Sequence, residues 1–228
     1  MDPRRFASEL PGRFADFPNS RRPGGVRFDD VIAGVENLST ENNLALLNLA
    51  AALLEPGEAY VEVGCYAGAS LIGAMRGNEG RDFVAIDDFA WVGRERVEAN
   101  LERFGASGAS IIAGDAFEVL ESDALDGRAV GVLFWDADHS HDGQLRGLRL
   151  IEPRLARKAL VIVDNADGAA VRRAVEDWLR EQPRASPLLE IAGRTHGAPW
   201  WHDGVRVLAW DRDAVGEESG STVRGDAG

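Results

Sequence analysis

Acidic and amide side chains follow two apolar runs of the chain, and together they could bind a hard metal cation. Asp136 comes after one run, and Asp164 and Asn165 come after the next. Carboxylate and amide oxygens suit Mg²⁺ or Ca²⁺ better than a thiophilic metal. His139 could then accept a proton from a hydroxyl group that the cation polarises. Alternatively, the acidic and amide groups only cap helices and hold loops, and His139 is an ordinary surface or capping histidine.

A glycine-rich stretch after an earlier apolar run could hold a cofactor. Glu62 precedes Gly64 and Gly68, and glycines four residues apart allow a tight turn and a close approach of a ligand to the following helix. The dinucleotide pattern G-x-G-x-x-G is absent, which weakens an NAD or FAD interpretation. A plain turn between a strand and a helix is the alternative.

Two further acidic positions extend this predicted cofactor site. Asp87 ends the next apolar run, 19 residues after Gly68, where it could accept hydrogen bonds from a ribose diol. Asp115 is followed by Ala116 and Phe117, so a polar group and an aromatic ring could hold an adenine. Ordinary helix capping is the alternative for both aspartates.

Five apolar runs separated by helix-like segments are expected to position these residues. The runs cover residues 60–63, 83–86, 110–112, 130–134 and 160–163. This alternation is typical of an α/β fold, a parallel sheet with helices on both faces. In such a sheet, ligands bind beyond the carboxyl ends of the strands, where the polar residues above are expected. Two more strands are predicted over 188–191 and 205–210.

Composition restricts the classes of function. The 228 residues are 45% hydrophobic, enough for one domain with a real core. Lys plus Arg number 25 against 38 Asp plus Glu, and the net charge of −13 would repel phosphate backbones, so no nucleic-acid partner is expected. No apolar run approaches the roughly 18 to 20 residues of a membrane span. The single cysteine, Cys65, fits a reducing compartment, and we expect a cytoplasmic protein.

Both ends of the chain are expected to lie outside the central domain, which should cover residues 39–212. Residues 1–38 are predicted to form an arm that packs on the domain, closes over it as a lid or stays mobile. Residues 213–228, rich in Gly, Ser, Glu and Asp, are predicted to be a flexible tail. In a late loop, Trp200 and Trp201 could wall a pocket, or pack a hairpin or a dimer contact.

The combination of these motifs resembles the class I S-adenosylmethionine-dependent methyltransferases. The residues that carry the resemblance are the stretch 62–70, Asp87, the Asp-Ala-Asp-His sequence at 136–139, and Asp164 with Asn165. The nearest patterns are those of the small metal-dependent O-methyltransferases, of catechol and caffeoyl-CoA type, and of the macrocin-type sugar O-methyltransferases. The resemblance covers roughly residues 39–212. It implies a single-domain Rossmann-like fold with a mostly parallel seven-stranded sheet and helices on both faces.

The resemblance also implies which residues contact S-adenosylmethionine. Those around its methionine part are Glu62, Gly64, Tyr66, Gly68 and Ser70, with Ser70 bonded to the methionine carboxylate. Asp87 would hold the ribose, and the adenine would be bordered by Asp115, Ala116 and Phe117. Asp136 would border the cofactor as well as the metal.

For the reaction, the resemblance implies methyl transfer to a hydroxyl of a small molecule such as a catechol or a sugar diol. Asp136, Asp164 and Asn165 would hold Mg²⁺ or another divalent cation. His139 lies where the catechol enzymes have a lysine base, and a neutral imidazole can accept a proton near pH 7. Two alternatives stay open: a metal-independent methyltransferase with His139 alone as base, and a non-catalytic cofactor-binding module. Families of this kind commonly form dimers, so a homodimer is an alternative to the monomer.

Overall fold

The centre of the fold is one mostly parallel sheet, and the computed structural model describes residues 1–214 of the chain. In chain order its strands are β1 (Glu58–Val63), β2 (Asp82–Asp87), β3 (Ser110–Ala113), β4 (Ala129–Trp135), β5 (Leu155–Val163), β6 (Ala185–Ile191) and β7 (Val205–Asp211). Among the described residues the seven strands lie in the order β3-β2-β1-β4-β5-β7-β6, and β7 runs antiparallel to both of its neighbours. Most of the tail predicted over 213–228 lies outside the described residues, which end at 214.

Helices cover both faces of this sheet. They are α1 (Pro3–Glu9), α2 (Asp29–Gly34), α3 (Glu41–Ala52), α4 (Ala69–Met75), α5 (Arg94–Arg103), α6 (Ala116–Glu121), α7 (His141–Ile151) and α8 (Ala169–Glu181). Side chains of α3, α4 and α5 join the hydrophobic cluster on one face, and those of α6, α7 and α8 join the cluster on the other. In no helix of residues 1–214 do length and apolarity together suffice for a membrane crossing.

The apolar stripe of α8 shows how the sequence produces this layering. Val171, Ala174, Val175 and Trp178 recur at helical spacing, and all four are buried in the cluster that covers one face of the sheet. Polar residues occupy the opposite side of the helix, as expected for a helix packed on one face only. Burial of this stripe fixes α8 on that face of the sheet, beside α7.

The strand register brings the carboxyl ends of four strands to one edge of the sheet. Val63 of β1 pairs with Ile86 of β2 and with Trp135 of β4, and Trp135 in turn pairs with Val163 of β5. The residues that follow these four positions are Gly64, Asp87, Asp136 and Asp164. Polar residues far apart in the sequence therefore lie side by side at this edge.

The N-terminal arm packs on the domain through buried side chains. Those from α1, α2 and their connection are Phe6, Leu10, Phe14, Phe28 and Val31. They share one hydrophobic cluster with Leu44 of α3 and Leu71 of α4. Closure of the arm over the site as a lid stays a prediction.

Trp201 links the arm to the late loop between β6 and β7. Its ring is fully buried, with its centroid 5.3 Å from that of Phe14 and 5.9 Å from that of Phe17. Its indole Nε1 donates a hydrogen bond of 2.8 Å to the carbonyl of Pro18. Of the alternatives for the late-loop aromatics, Trp201 therefore packs within the chain and does not wall a pocket.

Candidate active site

A cavity of about 840 Å³ lies at the edge of the sheet where the four strands end. It is lined by most of the residues singled out from the sequence: Gly64, Tyr66, Ser70, Asp87, Asp115, Ala116, Phe117, Asp136, His139, Asp164 and Asn165. Glu62 and Gly68 lie behind these residues and do not line it. One cavity thus joins the predicted cofactor loop, residues 64–68 between β1 and α4, to the predicted metal and base residues.

Glu62 lies fully buried beneath the cofactor loop. Its two carboxylate oxygens accept hydrogen bonds from the hydroxyl of Ser70, at 2.5 Å, and from that of Tyr60, at 2.9 Å. Burial raises the pKa of Glu62 to about 8 in spite of these two bonds. The carboxyl therefore holds Ser70 in position from below, while Ser70 lines the cavity.

Gly64 occupies a position that has no room for a side chain. Its φ of +88° is in the left-handed region, and a Cβ built there would lie 2.1 Å from the carbonyl oxygen of Asp136. The backbone of Asp136 approaches so closely because its N–H donates to the carbonyl of Val63, at 2.9 Å. Gly64 is thus needed to bring the ends of β1 and β4 together.

Asp87 is bound mainly by backbone amides. One of its oxygens accepts from the N–H groups of Cys65 (2.8 Å) and Tyr66 (3.0 Å), and the other accepts from the N–H of Phe89 (2.7 Å). The carboxylate therefore ties the end of β2 to the cofactor loop. The neighbouring Asp88 is exposed, and it also lines the cavity.

After β3, Asp115 caps the N-terminus of α6. Its carboxylate accepts from the N–H groups of Phe117, at 2.9 Å, and of Glu118, at 3.1 Å. The ring of Phe117 packs beside Trp135, with 6.1 Å between centroids, and the guanidinium of Arg146 lies 4.5 Å from its centroid. The capping alternative for Asp115 is therefore observed, and the same cap fixes Phe117 at the wall of the cavity.

The predicted base and metal residues lie together at the other end of the cavity. His139 Nε2 is 3.3 Å from Asp136 Oδ1, and His139 Nδ1 is 2.9 Å from Asn165 Nδ2. Asp164, which is 4% exposed, lies near enough to Asp136 for their charges to interact. Asp138, by contrast, accepts from the N–H of Ser140 at the start of α7.

Burial dominates the electrostatics of this cluster. It raises the pKa of Asp136 and of Asp164 above the usual range, and the negative charge of Asp136 raises the pKa of Asp164 further. Burial lowers the pKa of His139, and the nearby carboxylates of Asp164, Asp138 and Asp203 act in the opposite direction. Asp164 Oδ1 and His139 Nε2 are both buried without a hydrogen-bond partner. In residues 1–214, no three His, Cys, Asp or Glu side chains are arranged to hold a metal ion.

The late loop supplies a further wall through His202 and Asp203. The loop is held against the residues after β5: Asp167 N–H donates to the Asp203 carbonyl, at 3.0 Å, and Asp167 Oδ2 accepts from the N–H of Gly193, also at 3.0 Å. His202 has a φ of +54°, and its Nδ1 is buried without a hydrogen-bond partner. Asp203 therefore faces the same space as His139 and Asp164.

A comparison with protein families decides the class of this domain. Residues 61–166 match the family model described as a methyltransferase domain. The chain carries a methyltransferase domain. This match confirms the predicted enzyme class, a methyltransferase. No curated protein matches the sequence.

Solved structures of methyltransferases share the fold of this domain. Cofactor-bound Rv0187 from MTB is 21% identical, with a TM-score of 0.62 over 93% of this chain and 98% of that one. S-adenosylhomocysteine-bound methyltransferase PaMTH1 from Podospora anserina is 17% identical, with a TM-score of 0.62 over 91% and 94%. The O-methyltransferase TomG from Streptomyces achromogenes, solved with S-adenosylmethionine, is 17% identical, with a TM-score of 0.56 over 92% and 90%. These likenesses confirm the predicted class I methyltransferase fold.

Several residues at the cavity of the methyltransferase domain escaped prediction from the sequence. Leu38 and Trp91, 69% and 89% exposed, lie at its rim. Glu36 joins the segment before α3 to the cofactor loop, because it accepts from the hydroxyl of Tyr66 at 2.5 Å and pairs with Arg96 at 2.9 Å. Exposed apolar residues in loops follow no helical or strand periodicity. The sequence pattern therefore could not place Leu38 and Trp91 at the cavity.

Proposed function

We propose that this methyltransferase transfers the methyl group of S-adenosylmethionine to a hydroxyl oxygen of a small molecule. The observation that carries the proposal is the position of His139, in contact with Asp136 and Asn165 in the same cavity as the glycine-rich loop. A proton acceptor at one end and a cofactor loop at the other are the two parts that methyl transfer to a hydroxyl needs.

The cofactor would lie along the ends of the first strands. Its methionine part would border Gly64, Tyr66 and Ser70 above the buried Glu62, and its adenine would lie near Phe117. The ribose would meet the carboxylates of Asp87, at the end of β2, and of Asp88, which follows it. The sulfonium methyl is already activated, so the protein mainly has to align it with the acceptor oxygen and exclude water.

His139 would take the hydroxyl proton. As the new C–O bond forms, the C–S bond breaks, its electron pair stays on sulfur, and the proton moves to imidazole Nε2. Burial keeps the imidazole neutral near pH 7 by lowering its pKa, and Nε2 lies 3.3 Å from Asp136 Oδ1 without forming a hydrogen bond to it. The nitrogen of the Asn165 amide faces Nδ1 in the structure, at 2.9 Å. Rotation of the amide by 180° would bring its oxygen to Nδ1, where it would accept the ring hydrogen and leave Nε2 to accept the proton.

A divalent cation such as Mg²⁺ fits the residues beside this base. Asp136, Asp164 and Asn165 would hold it with the oxygen ligands that Mg²⁺ prefers. The buried carboxylate of Asp164, with Oδ1 left without a partner, and the half-buried Asp136 beside it support a bound cation because it would offset the cost of their charge. When bound, such a cation lowers the pKa of a hydroxyl that it contacts and suits a vicinal diol.

The metal-independent alternative has an observation of its own. The charge of Asp136 raises the pKa of the buried Asp164, so the pair can hold one proton without a cation. In that case His139 acts as the base alone, and the two aspartates only shape the cavity. A homodimer and the small hydroxylated acceptor remain predictions of the same kind.

The test is transfer of labelled methyl from S-adenosylmethionine to a pool of catechols and hydroxylated sugars, with Mg²⁺ and with excess chelator. Loss of transfer in chelator, with cofactor binding intact, supports the cation, and Asp164→Ala should then match the chelated wild type. Transfer that persists in chelator overturns the cation and leaves His139 as the base. Cofactor binding without transfer to any acceptor would instead favour a non-catalytic module.

A further inference from the structure

We propose that the acceptor is neutral or positively charged, and that the site selects against acceptors bearing a carboxylate or phosphate. This inference rests on the proposed function, because it concerns the molecule that receives the methyl group. It follows from the charges that line the cavity and from where the cationic side chains of the chain are placed.

The lining of the cavity is strongly asymmetric in charge. Eight of its side chains are acidic: Glu36, Asp87, Asp88, Asp115, Asp136, Asp138, Asp164 and Asp203. No lysine or arginine of residues 1–214 is among the lining residues, and the only basic side chains there are His139 and His202. A concave site lined by one sign of charge concentrates ligands of the opposite sign and repels those of the same sign.

Two arginines contact lining residues without lining the cavity themselves, since Arg96 pairs with Glu36 and Arg146 packs on the ring of Phe117. Others pair with carboxylates elsewhere. Arg149 pairs with Glu181 between α7 and α8, and Arg76 pairs with Asp30 beside the arm, at 2.6 and 2.7 Å. These pairs lie outside the cavity. An anionic acceptor would therefore find none of the guanidinium groups that usually bind carboxylates and phosphates.

Asp203 adds negative charge at the end of the cavity where the acceptor would bind. Its side chain is 67% exposed, and its nearest basic atom is Nδ1 of His202, at 3.6 Å. Within residues 1–214, no lysine or arginine lies within 4.0 Å of it. The backbone of Asp203 is bound to Asp167, so its carboxylate is held beside His139 and Asp164.

Asp164 provides an independent sign of what the site accepts. It is 4% exposed, lines the cavity, and its Oδ1 has no hydrogen-bond partner. A buried acceptor atom of this kind favours a ligand that brings a donor or a cation. A divalent cation would balance only Asp136 and Asp164, so Asp138 and Asp203 would still present negative charge to the acceptor.

The charge distribution separates anionic acceptors from neutral and cationic ones. Coenzyme A thioesters carry several phosphates and would be repelled. Neutral catechols and sugars, and above all those with an amino group, would be favoured. The class of acceptor that fits is therefore a compact diol, neutral or with one ammonium group.

The test compares acceptors that differ only in the charge of one substituent. A catechol series carries aminoethyl, methyl or carboxymethyl on the same ring, and a sugar series consists of an amino sugar, the neutral sugar and its uronic acid. In whichever series is methylated, we expect kcat/KM to be about tenfold or more higher for the cationic than for the anionic member. The ratio should shrink as the salt concentration rises.

Two charge-matched variants locate the effect. Asp203→Asn should lower the preference for the cationic member severalfold, whereas Asp123→Asn, which removes an exposed charge outside the cavity, should leave the preference unchanged. Equal rates across a series, or a preference for the anion, would overturn the inference and leave methyl transfer itself established. Absence of transfer to every member would instead overturn the proposed function.

Discussion

The imidazole of His139 lies against the side-chain amide of Asn165, with 2.9 Å between Nδ1 and Nδ2, although the two residues follow different strands. The contact exists because β4 and β5 are neighbours whose ends are level, with Trp135 paired to Val163. Asn165 has a φ of +54°, a conformation that asparagine tolerates better than most residues. The amide therefore sets the orientation of the ring that we assign as base.

Two substitutions of Asn165 separate its role in positioning the ring of His139 from its role as an oxygen ligand of a cation. Asn165→Ala should lower kcat by about tenfold to a hundredfold with a smaller change in KM, because the ring of His139 loses its positioning partner. Asn165→Asp keeps an oxygen for a cation and for Nδ1–H, so it should retain more activity than the alanine variant. Steady-state kinetics at several pH values measure both effects. Equal activity of the alanine variant and the wild type would contradict the positioning role.

Gly64→Ala should destabilise the domain by about 2 to 4 kcal/mol, because the new Cβ would meet the Asp136 carbonyl and the φ would be strained. Gly127→Ala is the matched control: its φ is +78°, but nothing lies within 4 Å of a Cβ there. It should cost only about 1 kcal/mol. Unfolding in denaturant measures both free energies, and similar losses for the two variants would show that the contact with Asp136 is unimportant.

Glu62 should make the stability of the cofactor-free protein fall as pH rises. Its pKa is 4.5 when exposed and about 8 when buried, so between these values the folded state binds more protons than the unfolded state. Its contribution is fully present below pH 4.5 and is lost as pH approaches 8, by up to about 5 kcal/mol. Glu62→Gln should flatten this part of the pH profile of the unfolding free energy. The exposed Glu102→Gln makes the same change in charge, and a flattening by both variants would refute the assignment.

Asp87 and Asp88 should respond differently to loss of charge. Asp87→Asn should lower stability by about 2 kcal/mol as well as cofactor affinity, because its carboxylate accepts three backbone amides. Asp88→Asn, at an exposed position of the cavity, should weaken cofactor binding while the unfolding free energy stays near that of the wild type. Calorimetric binding and thermal unfolding distinguish the two. A stability loss of the same size for Asp88→Asn would contradict this division.

Trp201 should anchor the arm. Trp201→Ala is expected to cost about 3 to 5 kcal/mol and to increase protease cleavage within residues 1–28, because the ring packs on Phe14 and Phe17. Trp201→Phe keeps an aromatic ring but loses the bond to Pro18, so it should cost about 1 kcal/mol. An arm that stays protected in the alanine variant would show that other contacts hold it.

The alternation of strands and helices and the parallel sheet could be predicted because they follow from local patterns, whereas the seven-stranded fold was implied by the family resemblance. Buried parallel strands have apolar runs, and the polar residues after Trp135 and Val163 had to meet once those strands were neighbours. The bonding partners of each polar group could not be predicted in this way. Asp87 is occupied by amides of the cofactor loop, and Glu62 lies beneath that loop, because of backbone turns that no periodicity encodes.

The contacts of the late loop could not be predicted either, because they join residues that are far apart in the sequence. The contacts of Trp201 with the arm join residues more than 180 positions apart, and a single sequence carries no signal for such a pairing. Asp203 was overlooked for the same reason, since its place beside His139 depends on the backbone bonds of Asp167. Both follow only from the position of β7 between β5 and β6.

The carboxylate-rich lining also bears on turnover. S-adenosylmethionine enters with a sulfonium cation, and after the reaction its sulfur is a neutral thioether. A cavity without lysine or arginine among the described residues attracts the charged form more strongly than the spent one. In the proposed reaction, the chemical step would therefore weaken the attraction between the cavity and the by-product and so favour exchange of the spent cofactor for a fresh molecule.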